Sequence, residues 1–373
     1  MRKHPDYFLL GVTLALITLG ILILSSVSAT LSQEKFGNTY YFLNHQLLFG
    51  FLPGLILAFL AFRLPTDFLK KWAPLLLLIN LILLAMVFLP KIGASLGGAT
   101  RWVNLGPFSF QPSEFLKLTF ILYLASWLAS RTPHQKKFDT GRAEKIIGFN
   151  QTLIAFLLVV GIISLLLIFQ PDISTLGVIG ASAILMYFLA GTPLWHSILI
   201  VLMGAGGLFA LINLVPYRLN RLQVFFNPAA DPMGIGYQIK QALIAVGSGG
   251  ISGVGLGMSR LKFGFLPHSV SDAIFAIFAE EAGFIGATIL VFIFLLFFWR
   301  GFKIAKLSQN KFSQLAALGI TFWITIQGFI NIGSMIGVLP LAGIPLPFIS
   351  YGGSALITEL VGVGILLNIS RHT

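Results

Sequence analysis

Apolar stretches, most of them close to the roughly 20 residues that cross about 30 Å of hydrocarbon, recur along the whole chain and constrain its fold more than any other feature. By hydropathy they fall at 8–29, 42–62, 73–89, 113–129, 152–169, 173–190, 195–215, 273–299, 315–339 and 355–369. The expected fold is an all-α polytopic membrane protein with ten transmembrane helices, read as one membrane domain over 1–373. The first stretch follows Arg2 and Lys3 as a secretion signal would. It is longer than a signal core and further spans follow it, so it reads as a retained helix.

Charged residues make up only 10% of the sequence, far below the roughly 25% of a soluble domain. With no cysteine, disulfides, thiolate chemistry and cysteine-ligated metals are excluded. His4, His45, His134, His196, His268 and His372 show no local pair at metal-ligand spacing, so no zinc site is expected. A net charge of +12 would suggest nucleic acid in a soluble chain. Here most basic residues sit in short connections, where they set topology, and no nucleic-acid partner is expected.

Alternating the connections puts Arg2, Lys3, Arg63, Lys70, Lys71, Arg131, Lys136, Lys137, Arg142, Lys145, Arg300, Lys303, Lys306, Lys311 and Arg371 on one side, 15 of the 24 Lys and Arg. That side is cytoplasmic by the positive-inside rule, and it holds both termini and the loop at 130–151. Large extracytoplasmic loops then follow spans 3 and 7, at 90–112 and 216–272. Both are rich in Gly, Pro and aromatic residues, as loops that fold back over a bundle and carry function are.

Of the twelve acidic residues, Asp6, Glu34, Asp67, Asp139, Glu144 and Asp231 lie in polar ends or loops, where a solvated charge needs no explanation. Glu114, Asp172, Asp272, Glu280, Glu281 and Glu359 lie inside or at the edge of apolar spans, where a charge costs roughly 2.5–3.5 kcal/mol and marks function. Glu114, Asp172 and Asp272 fall at the outer ends of spans 4, 6 and 8. They imply a polar cavity open to the outer face and roofed by the two long loops. Glu114 and Lys117, three apart, share a helix face and can pair. Glu280, eight residues beyond Asp272, is about 12 Å deeper at 1.5 Å per residue, so Glu280, Glu281 and Glu359 read as intramembrane hydrogen-bonding or packing residues. In the second loop Arg218, Arg221 and Lys240 accompany a glycine-dense run from Gly247 to Gly257. Glycine amides and arginines together can cradle a diphosphate, although tight loops and helix packing use glycine too.

The runs GGATRWVNLGPFSFQPSEFLKL (97–118), QPDISTLG (170–177), DPMGIGYQIKQALIAVGSGG (231–250), FLPHSVSDAIFAIFAEEAGFIG (265–286) and NIGSMIGVLPLAGIPLPFISYGG (331–353) resemble, in order, the signature segments of the SEDS family. These are peptidoglycan glycosyltransferases of the FtsW (division) and RodA (elongation) types; FSFQPSE and SRLKFGFLP resemble the FtsW type slightly more. The resemblance implies ten spans, an extracytoplasmic active site in the bacterial cytoplasmic membrane, and polymerisation of lipid II into β-1,4 glycan strands. It places the essential aspartate on Asp272 and the polar cavity partners on Arg101, Glu114, Lys117 and Asp172. Most members carry Glu where this chain has His268, whose imidazole can still bind an acceptor hydroxyl.

For an α-linked donor and a β-linked product, direct inversion needs a base, Asp272, and charge stabilisation at the departing diphosphate. Arg101, Lys117, Arg218 and Arg221 are the candidates for that stabilisation. A divalent cation, Mg or Mn, is the one cofactor candidate, at no identified site. A lipid-linked substrate should enter between helices from the outer leaflet. The implied partner is a class B penicillin-binding protein, a transpeptidase, together with other divisome or elongasome proteins. A lipid II flippase or ion-coupled transporter is the competing reading. It needs polar groups through the full depth of the bundle, whereas the acids here concentrate at the outer ends. A non-catalytic scaffold is a third reading, opposed by the intact Asp272.

Overall fold

The computed structural model describes residues 4–89, 93–96, 99–105, 108–131, 142–214 and 216–373. Arg2, Lys3, His134, Lys136, Lys137 and Asp139, and the loop stretches 90–92, 97–98, 106–107 and 132–141, lie outside the described residues. Helix α1 (Tyr7–Phe36) starts where the Asp6 carboxylate accepts the Leu9 N–H at 3.0 Å and ends at Gly37 in the left-handed region. Helix α2 (Tyr41–Gln46) runs through a π turn at Leu47–Phe51 into α3 (Leu52–Arg63), widening where Pro53 lacks the N–H of a regular ladder. Next come α4 (Thr66–Met86), α5 (Pro112–Arg131), α6 (Arg142–Phe169), α7 (Ile173–Leu189) and α8 (Leu194–Leu214). Two shorter helices follow, α9 (Pro216–Phe226) and α10 (Ile235–Ser248). The chain closes with α11 (Ile274–Leu307), α12 (Lys311–Met335) and α13 (Gly353–Ser370).

Among the described residues eight helical stretches are long and apolar enough to cross a membrane: α1, α2–α3, α4, Asn150–Phe169 of α6, α8, α11, α12 and α13. This is a multi-pass membrane protein. Helices α5 and α7 stand where spans 4 and 6 were expected; α7 is apolar but only 17 residues long, and α5 carries Glu114 and Lys117. Helices α12 and α13 form the centre, with 83% and 78% of their apolar windows covered by protein against 11% for α8. Helix α12 packs against α5, α7, α11 and α13.

The all-α expectation needs one correction. The loop after α4 holds a three-stranded antiparallel sheet, β1 (Gly93–Leu96), β2 (Ala99–Leu105) and β3 (Phe108–Phe110), in the order β1-β2-β3. Ala94 pairs with Trp102 and Ser95 with Thr100, which leaves Arg101 as the extra residue of a bulge. A bulge bends its strand and re-aims a side chain. The second loop is likewise no open loop, since α9 and α10 lie within it.

The glycine-dense run is also corrected. Instead of cradling an anion, it lies against the backbone of α11, which breaks at Gly283 (φ 66°, ψ −167°). Val254 and Gly255 donate to the carbonyls of Glu280 and Glu281 (3.0 and 3.1 Å), while Phe284 and Ile285 donate to those of Gly250 and Ile251 (2.9 and 3.1 Å). A Cβ on Gly253 would strike the Glu281 carbonyl, and one on Gly283 the Gly253 nitrogen. The missing side chains permit two backbones to exchange hydrogen bonds across a broken helix, so that buried N–H and C=O groups stay paired.

Asp6 is the third correction. Expected to be solvated, it is buried, caps α1 and pairs with Arg300 at 2.5 Å. Its backbone N–H reaches Ser370 Oγ at 3.0 Å, so one acid ties α1, α11 and α13 together. The intramembrane acids of α11 and α13 have protein partners. Glu280 accepts from Ser259 Oγ and the Arg260 N–H, Glu281 from Ser26 (2.9 Å) and Lys262 (3.2 Å), and Glu359 from the Phe348 N–H (2.8 Å).

Candidate active site

Three segments converge around Asp272. The first is the turn 267–273 that leads into α11, where the His268 carbonyl accepts the N–H groups of Ser271 (3.0 Å) and Ala273 (3.2 Å). His268 adopts φ 56°, a left-handed conformation that a histidine visits more readily than most side chains. It leaves the imidazole exposed, in the same cavity as Asp272. The second segment is α9 to α10. Asp231 accepts the N–H groups of Gly234 and Ile235, both at 3.0 Å, and so starts α10 with a side-chain cap. Arg218 and Arg221 are three apart on α9 and share a face. The third is the 340–352 connection before α13, which contributes Leu341 and Gly343.

Between these segments lies a cavity of about 370 Å³ lined by Arg221, Met233, Gly234, Gln238, His268, Asp272 and Gly343, among others. A second space, about 280 Å³, adjoins it and is lined by Arg101, Pro171, Ser174, Arg218, Arg221 and Gly343. Arg221, Leu341 and Gly343 border both. Arg221 is steadied by a 3.2 Å bond to the Leu341 carbonyl, and Arg218 by one of 3.3 Å to that of Leu211. Arg101, aimed by the β2 bulge, donates from Nε to the Gln170 carbonyl (3.1 Å) and from its guanidinium to the Pro171 carbonyl. Asp272 therefore shares its cavity with Arg221 and feels the charge of Arg101 as well, while Arg218 lines the adjoining space.

Asp272 precedes α11, outside the membrane-spanning stretch. Burial pushes its carboxyl above the ordinary carboxylate range, while His268, Arg221 and Arg101 and a bond from Ser271 pull it back. Burial prevails. The result is a stronger proton acceptor than a solvated aspartate, held among cations that oppose its neutralisation.

Glu114, Lys117 and Asp172 line neither space. Lys117 Nζ lies 2.7 Å from Glu114 Oε2 and 2.7 Å from Gln327 Oε1, and 5.5 Å from the centre of the Trp323 ring. Lys117 and Glu114 are 1% and 3% exposed, too covered to reach a bound molecule in this conformation. Asp172 is buried as the N-cap of α7 and accepts from Ser113 Oγ at 2.9 Å, joining α7 to α5. Glu114 and Lys117 thus join α5 to α12 through Gln327, and Asp172 joins α7 to α5.

The neutral lining residues Gln238 and Gly343, and the polar Gln327 and Asn331 of α12, are not among the residues that charge and motif single out. A signal existed: two amides spaced i, i+4 inside an apolar span are costly unless bonded. Gln327 Nε2 donates to the Pro345 carbonyl at 3.0 Å and its Oε1 accepts from Trp323 Nε1 at 3.0 Å. For a cation, the Asp272 cavity offers one carboxylate and one imidazole beside Arg221. Among the described residues no group of three His, Cys, Asp or Glu side chains could hold a metal ion. That donor set does not fit a protein-only divalent site, which takes several oxygen ligands.

Known proteins match the chain along almost its whole length. The family model described as "Cell cycle protein", FTSW_RODA_SPOVE, matches residues 7–373. The chain is 39% identical to Stage V sporulation protein E of Bacillus subtilis, over 100% of this chain and 98% of that one. It is 39% identical to the probable peptidoglycan glycosyltransferase FtsW of Coxiella burnetii, over 99% and 96%. Among solved structures it is similar to a chain from work on the structural coordination of polymerization and crosslinking by a peptidoglycan synthase complex. There the TM-score is 0.76 and the identity 29%, with 98% of both chains covered.

Proposed function

The chain belongs to the FtsW/RodA/SpoVE family, and from that premise we propose that it is an inverting glycosyltransferase polymerising lipid II into β-1,4 glycan strands. The observation that carries this is Asp272, the one carboxylate among the described lining residues, in a cavity that shares Arg221, Leu341 and Gly343 with a space lined by Arg101 and Arg218. Asp272 takes the proton of the acceptor's 4-hydroxyl as its oxygen attacks the donor's anomeric carbon. The bond from that carbon to the diphosphate oxygen breaks, and its electron pair leaves with the polyprenyl diphosphate. Arg221, bordering both spaces, with Arg101 and Arg218, faces the developing charge. His268 lies on the acceptor side, beside Asp272. Glu114, Lys117 and Asp172 act by joining α5 to α12 and α7.

The site faces the outside of the bacterial cytoplasmic membrane with both termini cytoplasmic, a placement supported by the distribution of Lys and Arg. Counting α5 and α7, which pack within the bundle, gives ten spans. Similarity to a chain of a peptidoglycan synthase complex supports a class B penicillin-binding protein as partner. The role is in cell division or elongation, and the identity to FtsW favours division.

The test is polymerisation of lipid II by purified wild type and Asp272→Ala, each verified as folded, with and without the transpeptidase. Strands from wild type and none from the variant support the assignment. Equal strands from both remove Asp272 from the mechanism. If neither makes strands with the partner present while wild type moves lipid II across liposomes, the transporter reading replaces this one.

A further inference from the structure

Asn331 sits on α12, one turn after Gln327, and is 1% exposed. Its amide nitrogen donates both hydrogens to backbone carbonyls, one to Asp272 and one to Ile344, each at 2.8 Å. The orientation of the amide follows from its partners, since two carbonyls can only accept. One side chain therefore joins the backbone of the proposed base to the connection forming the opposite rim of its cavity. The gap it spans is narrow: a Cβ on Gly343, the residue before Ile344, would lie 3.5 Å from Asp272 Oδ2.

A second tie runs in parallel. Ser350 Oγ donates to the Ser271 carbonyl at 2.6 Å and accepts the Leu346 N–H at 2.8 Å, while Tyr351 N–H reaches the Val270 carbonyl at 2.9 Å. The carbonyls of residues 270, 271 and 272 are thus each held, two by the 340–352 connection and the last by the central helix. Gln327 anchors the Pro345 carbonyl on the same face of α12. Helix α12 is mostly covered by protein, so the clamp is fixed to the most enclosed part of the bundle.

We infer that Asn331 is a positioning residue for glycosyl transfer: its amide sets the place of the Asp272 carboxylate relative to the Gly343 rim and Arg221, without touching substrate. Ser350 is the second member of the same clamp. The inference rests on the reading of Asp272 as the base. Proximity effects of this kind are steep, a misplacement of about 1 Å costing on the order of a hundredfold in rate. Asn331→Ala frees one carbonyl on each side of the gap, and Ser350→Ala loosens the neighbouring one.

The test measures kcat, KM for lipid II and the acid limb of the pH–rate profile for wild type, Asn331→Ala, Ser350→Ala and Asp272→Ala, normalised to folded protein by thermal melting. Asn331→Ala should lower kcat by about 10–100-fold with KM little changed. Ser350→Ala should give the same signature with a smaller loss. In both variants the acid limb should move to lower pH, because a loosened Asp272 regains the solvation that burial denies it. A packing defect alone lowers the folded fraction and leaves the normalised kcat and the limb unmoved. Normal kcat and limb in folded Asn331→Ala overturn the clamp, as does a KM increase at constant kcat, which marks a substrate contact. If Asn331→Ala does not fold, an unmoved kcat and limb in Ser350→Ala overturn it equally. Loss of activity in Asp272→Ala alone refutes only the clamp, whereas an active Asp272→Ala refutes the base and the clamp with it.

Discussion

Lys117→Met deletes a buried ammonium while keeping a flexible apolar stem of similar length, so the loss of packing is small and the loss of charge pairing dominates. What remains is Glu114, 3% exposed and without its 2.7 Å counter-charge, and Gln327 Oε1 with the Trp323 N–H as its remaining contact. Breaking a buried ion pair from one side costs about 3–5 kcal/mol, because the surviving charge stays desolvated. A hydrogen bond to a charged group makes up about 1.5–3 kcal/mol of such a loss. Glu114→Gln strands Lys117 in the same way, softened by its bond to Gln327. In the double variant no charge is left to solvate, and replacing a buried pair by neutral groups is often close to neutral. The double variant should therefore be more stable than Lys117→Met alone, with a coupling of about 2 kcal/mol or more between the two sites. Reversible unfolding of the four proteins in mixed micelles measures this. Additive single costs, or wild-type stability in Lys117→Met, would refute the buried contact. If Lys117 were a direct substrate ligand, activity would fall with stability untouched.

Other consequences follow from the same geometry. Arg221→Ala removes a cation that pulls the Asp272 carboxyl down, so the acid limb of the polymerisation profile should move to higher pH; an unmoved or lowered limb contradicts the electrostatic arrangement. Asp272→Asn should raise the melting midpoint at neutral pH, and the sign is fixed by linkage. The folded carboxyl titrates above its unfolded value, so its contribution to stability is full at acid pH and lost as pH rises through the folded value. The advantage of the Asn variant should shrink on acidification, and an advantage that grows would reverse the assignment. Gly283→Ala places a Cβ against the Gly253 nitrogen at φ 66°, a combination of clash and strain costing at least about 1–3 kcal/mol. Folded yield in detergent should drop sharply, and normal yield would mean the two backbones do not pair.

The spans were legible because a long apolar run has few other uses, and the acids stood out because charge in hydrocarbon is costly. The pairing of Glu114 with Lys117 followed from helical spacing alone. Their depth did not, since spacing gives a shared face and not what that face meets. The glycine run was ambiguous for a physical reason: an anion nest and a backbone crossing both require an absent Cβ, and only the partner, here the carbonyls of Glu280 and Glu281, tells them apart. Asp6 looked solvated because its counter-ion, Arg300, is remote in sequence. Arg101 was named by resemblance, and what aims it is a bulge that depends on strand register. Asn331 carries no charge, so nothing in the charge pattern marks the residue that holds the Asp272 carbonyl.

The central claim is that the Asp272 carboxylate accepts the proton when the glycosidic bond forms. Single-turnover transfer from lipid II by Asp272→Asn, which keeps the side chain's shape and removes its basicity, tests it most directly. Loss of general-base catalysis predicts a rate lower by about 10²–10⁴-fold with lipid II still bound. A rate within tenfold of wild type would contradict the assignment of Asp272 as the base.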